Sequence, residues 1–144
     1  MEKGLDVIAI CISSGALIFS LLQFVFSTIR QKREATLNAY IQLQEEVFSQ
    51  LNIMKKPYAK IRYESDEWQK ITCYLAKIEV FCVGINTGIF SERVLNRVGG
   101  AYFIRQFNEL KVIIDKKRKK NISKGNHYNE FEKTVEKLKK LRKM

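Results

Sequence analysis

Residues Val7 to Ile29 read VIAICISSGALIFSLLQFVFSTI, 23 positions without one charged side chain. As an α-helix rising about 1.5 Å per residue the stretch reaches roughly 35 Å, enough to cross a hydrocarbon layer of about 30 Å with some tilt. A helix satisfies its own backbone hydrogen bonds, which lipid demands. The stretch therefore predicts a membrane-spanning helix and sets the plan of the chain. A short extracytoplasmic N-terminus occupies 1–6, the span 7–29, and a basic cytoplasmic helical domain 30–144. A cleaved signal peptide fits less well: the apolar run is about twice the usual length of such a core, and no A-x-A-like site follows it.

Orientation follows from the flanks. Glu2, Lys3 and Asp6 precede the span, whereas Arg30, Lys32 and Arg33 follow it. The positive-inside bias puts the N-terminus outside and the C-terminal part in the cytoplasm, as in a single-pass protein of a cell inner membrane. The chain has 26 Lys+Arg against 15 Asp+Glu, and the part beyond the span, without Glu2, Lys3 and Asp6, carries +12. Such a charge suits anionic lipid headgroups, nucleic acid or an anionic nucleotide. Three cysteines, Cys11, Cys73 and Cys82, have no framework spacing and read as reduced, small apolar residues.

Within the span, Ala9, Ser13, Ala16, Ser20, Gln23 and Ser27 recur at intervals of 4-3-4-3-4. Small residues on one face let helix backbones approach, and serine or glutamine hydrogen-bonds across such a seam. The seam predicts a homo-oligomer, with Gln23 in the ring nearest the cytoplasm. Ten of the 23 residues are small or polar, so a chance register is the competing reading. Bulky Ile8, Ile12, Phe19, Leu22 and Phe26 follow another line, fit to face lipid. The seam register continues through Arg30, Glu34, Leu37, Ile41, Gln44, Phe48 and Leu51, widened by Tyr40, Val47 and Met54. No Gly or Pro interrupts Arg30 to Lys56, so one rod is expected to reach about Met54, ahead of Pro57.

After a connection over Pro57 to Glu64, Ser65 is a good N-cap, with Asp66 and Glu67 in the first turn. Trp68, Ile71, Leu75, Ile78, Cys82 and Ile85 form an apolar stripe thickened by Tyr74, Phe81 and Val83. Glu79 lies inside it and is expected at a bundle edge, paired with a basic residue. Gly88 suits a left-handed C-cap. Ser91 predicts a short helix through Val98, Gly99-Gly100 a turn, and Ala101 to Lys120 a further helix whose inner face is Phe103, Ile104, Phe107, Leu110, Ile113 and Ile114. A loop over Asn121 to Asn126 leads to a last amphipathic helix carrying Phe131, Val135, Leu138 and Leu141. The glycosylation triplet Asn121-Ile122-Ser123 is discounted on a cytoplasmic side. The fold class expected is all-α, a transmembrane helix continuing into a small helical bundle.

Catalytic chemistry is not legible. The single histidine, His127, has no Cys or His at ligand spacing, acids are scattered, and Gly99-Gly100 is followed by no phosphate-binding signature. The expectation is a non-enzyme with no cofactor and no metal. The run Lys116, Lys117, Arg118, Lys119 and Lys120 has three readings: contact with anionic lipid or another anionic ligand, nucleic-acid binding, or a solvated, self-repelling face.

From Tyr74 to Leu141 the chain resembles a family of short bacterial membrane proteins known only as a domain of unknown function. The resemblance is carried by YLAKIEVFCVGINTGIFSERVLNRVGG (Tyr74 to Gly100), the aromatic-rich helix ending in Lys116 to Lys120, and NEFEK (Asn129 to Lys133). It implies one N-terminal membrane helix and an all-helical cytoplasmic domain, and it supplies no functional residues. The expectation is a self-associating membrane protein, an effector or pore-like oligomer of the kind bacterial antiphage systems use. The alternative is a monomeric anchor whose basic domain binds a cytoplasmic protein partner, nucleic acid or an anionic nucleotide.

Overall fold

The computed structural model describes residues 2–54, 57–120 and 127–143, with side chains from residue 12 onward. The N-terminal element is a single rod. Helix α1 (Glu2–Leu43) runs into a π turn over Gln44–Phe48 and then α2 (Ser49–Ile53). The backbone stays right-handed helical across both joints, with φ −61° at Leu43 and −58° at Ser49. At Met54 ψ swings to 134°, ending the rod where the sequence places its end. The rod is therefore roughly 75 Å long at about 1.5 Å per residue. Among the described residues it is the one helix long and apolar enough to cross a membrane.

The lower part of the rod buries Tyr40 and Val47 of the expected stripe, but its packed line is offset by one position from the Leu37, Ile41, Gln44 register. Thr36, Tyr40, Leu43 and Val47 are buried, at intervals of 4-3-4, while Leu37 and Ile41 are 37% and 52% exposed. The cause is the π turn, which inserts an extra residue per turn and moves the apolar line by one position. Beyond it Phe48 and Leu51 of the expected register come inside.

Helix α3 (Asp66–Asn86) starts as expected: the Trp68 N–H donates to Ser65 Oγ at 3.2 Å. It ends with Gly88 at φ +81°, a conformation open to glycine without a Cβ penalty. Trp68, Ile71, Leu75, Ile78, Phe81, Cys82 and Ile85 are buried, whereas Val83 points outward at 41% exposure. Helix α5 (Asn129–Arg142) buries Phe131, Val135 and Leu138 against α3 and α4 and leaves Leu141 exposed.

The clearest departure from expectation is α4, which runs unbroken from Glu92 to Lys120, through Gly99-Gly100. Those glycines serve close approach, not a turn. A Cβ at Gly99 would overlap the Tyr40 phenol, and one at Gly100 would fall 2.7 Å from Asn96 Oδ1. Two glycines cost the helix about 1 kcal/mol each relative to alanine, a cost the packing of α4 on the rod offsets. The fold is all-α, with no strand among the described residues. Its centre is a chain of tilted and edge-to-face aromatic rings: Phe48 and Phe81 meet Phe103 at 5.9 and 6.0 Å, and Phe103 and Phe107 meet Phe131 at 5.1 and 5.0 Å.

Candidate membrane interface

The proposed seam lies on α1. Ser13, Ala16, Ser20, Gln23 and Ser27 are all exposed, while Ala9 lies in the helix with its side chain outside those described. Ser20 Oγ donates to the Ala16 carbonyl at 2.9 Å, and Thr28 Oγ1 to the Phe24 carbonyl at 2.9 Å. Donating back to the preceding turn satisfies the hydroxyl proton and leaves oxygen lone pairs as acceptors toward a neighbour. Around the seam, Ile12, Leu17, Ile18, Phe19, Leu21, Leu22, Phe24, Val25 and Phe26 are each at least half exposed. Fully burying a side chain of this size is worth about 1.5–3 kcal/mol, so these nine leave on the order of 10 kcal/mol unrealised in water. That rivals the entire folding free energy of an ordinary domain.

After the apolar segment, Arg30 Nε pairs with Glu34 at 2.8 Å. The fully buried Thr36 joins α1 to the start of α4: its Oγ1 donates to the Lys32 carbonyl at 2.7 Å and accepts from the Ser91 N–H at 2.8 Å. The apolar segment is thus tied to the bundle within two turns of Ile29.

The basic run at the end of α4 is held within the bundle. Lys116 Nζ donates to the carbonyls of Ala59 at 2.7 Å and Ile61 at 3.4 Å. Lys117 Nζ donates to Tyr128 Oη at 2.9 Å and lies over that ring. Arg118 donates from Nε to the His127 carbonyl at 2.9 Å and from its Nη2 to Glu132 Oε2 at 2.8 Å. Lys120, exposed, sits over the Tyr63 ring, 5.1 Å from its centre, and Lys119 is exposed as well. Four of the five cations therefore clamp the 57–63 connection and the start of α5 to the end of α4. The remainder of the loop, 121–126, lies outside the described residues, the triplet Asn121-Ile122-Ser123 with it.

Glu79 has a role that spacing within α3 does not reveal. Its two carboxylate oxygens accept from the backbone N–H groups of Glu130 at 2.9 Å and Phe131 at 2.8 Å, capping α5 from another helix. Tyr128, just before α5, is at φ 61° and makes no side-chain cap of its own. The partner of Glu79 is thus a helix N-terminus, in place of the basic side chain expected. Beside it, Lys133 and then Asn86 hold the Glu130 carboxyl below its usual range by hydrogen bonding. Burial pushes the Cys82 thiol well up, which keeps it protonated and inert; Cys73 is exposed. No group of three or more His, Cys, Asp or Glu able to hold a metal occurs among the described residues.

Fold and surface together define an all-helical protein with one long, unburied apolar helix at its N-terminus. The chain matches the family described as domain of unknown function DUF4760 over residues 9–138 and belongs to it. The match begins well before Tyr74, so the family includes the apolar helix as well as the bundle. No curated protein and no solved structure matches the chain.

Proposed function

We propose that this is a non-enzymatic, single-pass membrane protein, N-terminus out and bundle in the cytoplasm, that self-associates through the Ala9–Ser27 seam. In this reading it works as a membrane effector or pore-like oligomer. One observation carries it: a single rod holds an apolar segment exposed on every side and, seven residues beyond Ile29 at Thr36, the start of the packed face of the bundle. Lipid and a second copy are the two surroundings that relieve such exposure, and a seam of small and hydroxyl residues allows both at once. Without a hinge between span and bundle, rearrangement of one is transmitted to the other as rigid-body motion.

Two experiments test this. Exposed Cys73 should react with a membrane-impermeant maleimide in inverted vesicles and be protected in right-side-out ones; the opposite pattern overturns the topology. Ser13→Leu with Ser20→Leu should weaken assembly without blocking insertion, and undiminished oligomers in that variant remove the seam.

The second reading is a monomeric anchor holding a cytoplasmic partner. It is favoured by an apolar groove of about 510 Å³ between α1 and α3, lined in part by Leu43, Val47, Val80 and Phe90, with Val80 72% exposed. It predicts that the seam variant functions normally while Val80→Asp loses the partner.

A further inference from the structure

We propose that the groove between α1 and the first turns of α4 binds the phosphate of an anionic phospholipid in the leaflet that faces the bundle. The inference rests on the reading of 7–29 as a membrane span. The groove encloses about 540 Å³; its polar lining includes Lys32 and Arg33 from α1 and Arg93 and Arg97 from α4, and Ile29 and Val98 contribute to its apolar wall.

Height is the first argument. Lys32 and Arg33 follow Ile29 by three and four residues, which at about 1.5 Å per residue sets them roughly 4.5–6 Å beyond the end of the span. The headgroup layer on each side of a bilayer is about 5–7 Å deep, the difference between hydrocarbon core and full thickness shared between two faces. Both cations therefore stand among lipid phosphates. Packing sets the arginines beside the next turns of the rod, from Thr36 to Tyr40, where they line the same groove as Lys32 and Arg33. The Ser91–Thr36 hydrogen bond at 2.8 Å and the close approach of Gly99 to Tyr40 hold the start of α4 against the rod. Arg93 and Arg97 are one helical turn apart and so share a side. The preceding turn lies alongside as well: Lys32 Nζ is the nearest group to the position a Cβ would take on Gly88, at 3.9 Å.

Charge is the second argument. No carboxylate lines the groove, and none of its four cations makes an ion pair among the described residues. Nearby acids are otherwise disposed: Glu34 is paired with Arg30, and Glu92 faces an adjacent cleft next to Lys32 and Arg93. Four like charges around one cavity repel each other until an anion enters. Guanidinium groups match phosphate oxygens in a bidentate fork, and the apolar wall suits the glycerol and upper acyl carbons attached to that phosphate. The wall, and the height of Lys32 and Arg33, favour a lipid phosphate over a free one. The Lys116–Lys120 run, by contrast, already has partners within the bundle for four of its five cations.

The test uses the full chain in nanodiscs containing phosphatidylcholine and phosphatidylglycerol, released in a native mass spectrometer with its retained lipids counted. The variant is K32Q/R33Q/R93Q/R97Q, and the control is K60Q/K70Q/K111Q/K140Q, which removes the same charge from exposed positions elsewhere. Wild type and control should retain phosphatidylglycerol preferentially. The groove variant should lose at least about tenfold of that preference while keeping its helix content. Millimolar inorganic phosphate should leave wild-type retention unchanged. Equal retention by the groove variant, equal loss in the control, or displacement by inorganic phosphate overturns the proposal. If the quadruple variant does not fold, R93Q/R97Q replaces it and should lose part of the preference. Failure of the wild type to enter phosphatidylcholine nanodiscs would instead sink the span itself, and the two failures are told apart at that first step.

Discussion

The phenol of Tyr40 lies against the backbone of Gly99, so close that a methyl group on that glycine would occupy the space of the ring. This contact sets how near α4 comes to the rod. Gly99→Ala should lower the stability of the bundle by about 1–3 kcal/mol, overpacking outweighing the gain in helix propensity. Gly100→Ala should cost less, because the group it meets is the Asn96 side chain, although the hydrogen bond from Arg142 to Asn96 Oδ1 at 2.9 Å would loosen. Denaturant unfolding of the two variants should rank them in that order, and Tyr40→Ala should make Gly99→Ala nearly neutral in its background.

The Glu79 carboxylate supplies the acceptors that α5 lacks at its own N-terminus. Glu79→Ala should cost about 1–2 kcal/mol, the usual range for a lost helix cap. Glu79→Gln, which keeps one acceptor oxygen, should cost less. Hydrogen exchange at the Glu130 and Phe131 amides should accelerate in the alanine variant before exchange in α3 does.

Arg118 holds the His127 carbonyl just before α5 and the Glu132 carboxylate in its first turn. Arg118→Ala should destabilise the bundle by about 1–2 kcal/mol, since it removes one charge-assisted hydrogen bond and one half-buried ion pair. Lys119→Ala, at an exposed position, should be close to neutral. Equal thermal shifts for the two would mean that the run is a solvated face after all.

At high pH the buried phenol of Tyr58 becomes a liability. Burial, with the Glu109 charge next, pushes its pKa up to about 12 from an ordinary 10, so the folded chain favours the protonated form. Its contribution is fully present below pH 10 and is lost as the pH rises from 10 toward 12. Tyr58→Phe should be less stable than wild type near neutrality, having lost the hydrogen bond to the Leu51 carbonyl at 3.1 Å, and its stability should fall less between pH 10 and 12. Circular dichroism melts across that range, compared between the two proteins, check both halves.

What could be read from the sequence was local. The charge-free run, the stop at Met54, the Ser65 cap and the Gly88 turn each depend on a few adjacent residues, and the structure has all four. Gly99-Gly100 misled because a glycine pair looks the same whether it serves a turn or a close contact, and only the position of Tyr40, 59 residues earlier, decides between them. Glu79 and the Lys116–Lys120 run were illegible for the same reason: their partners are backbone groups, tyrosines and the Glu132 carboxylate, which tertiary packing delivers. The register of the rod went astray at Gln44–Phe48 because a π turn leaves no mark in apolar periodicity until its packing is known.

The central claim is that the apolar helix crosses a bilayer and assembles there with its own copies. The most direct measurement is the mass of the intact protein in lipid nanodiscs, by native mass spectrometry over a concentration series. The account predicts one defined multiple of the 16.9 kDa chain, constant as the protein-to-disc ratio falls. A 16.9 kDa monomer at every concentration would contradict it.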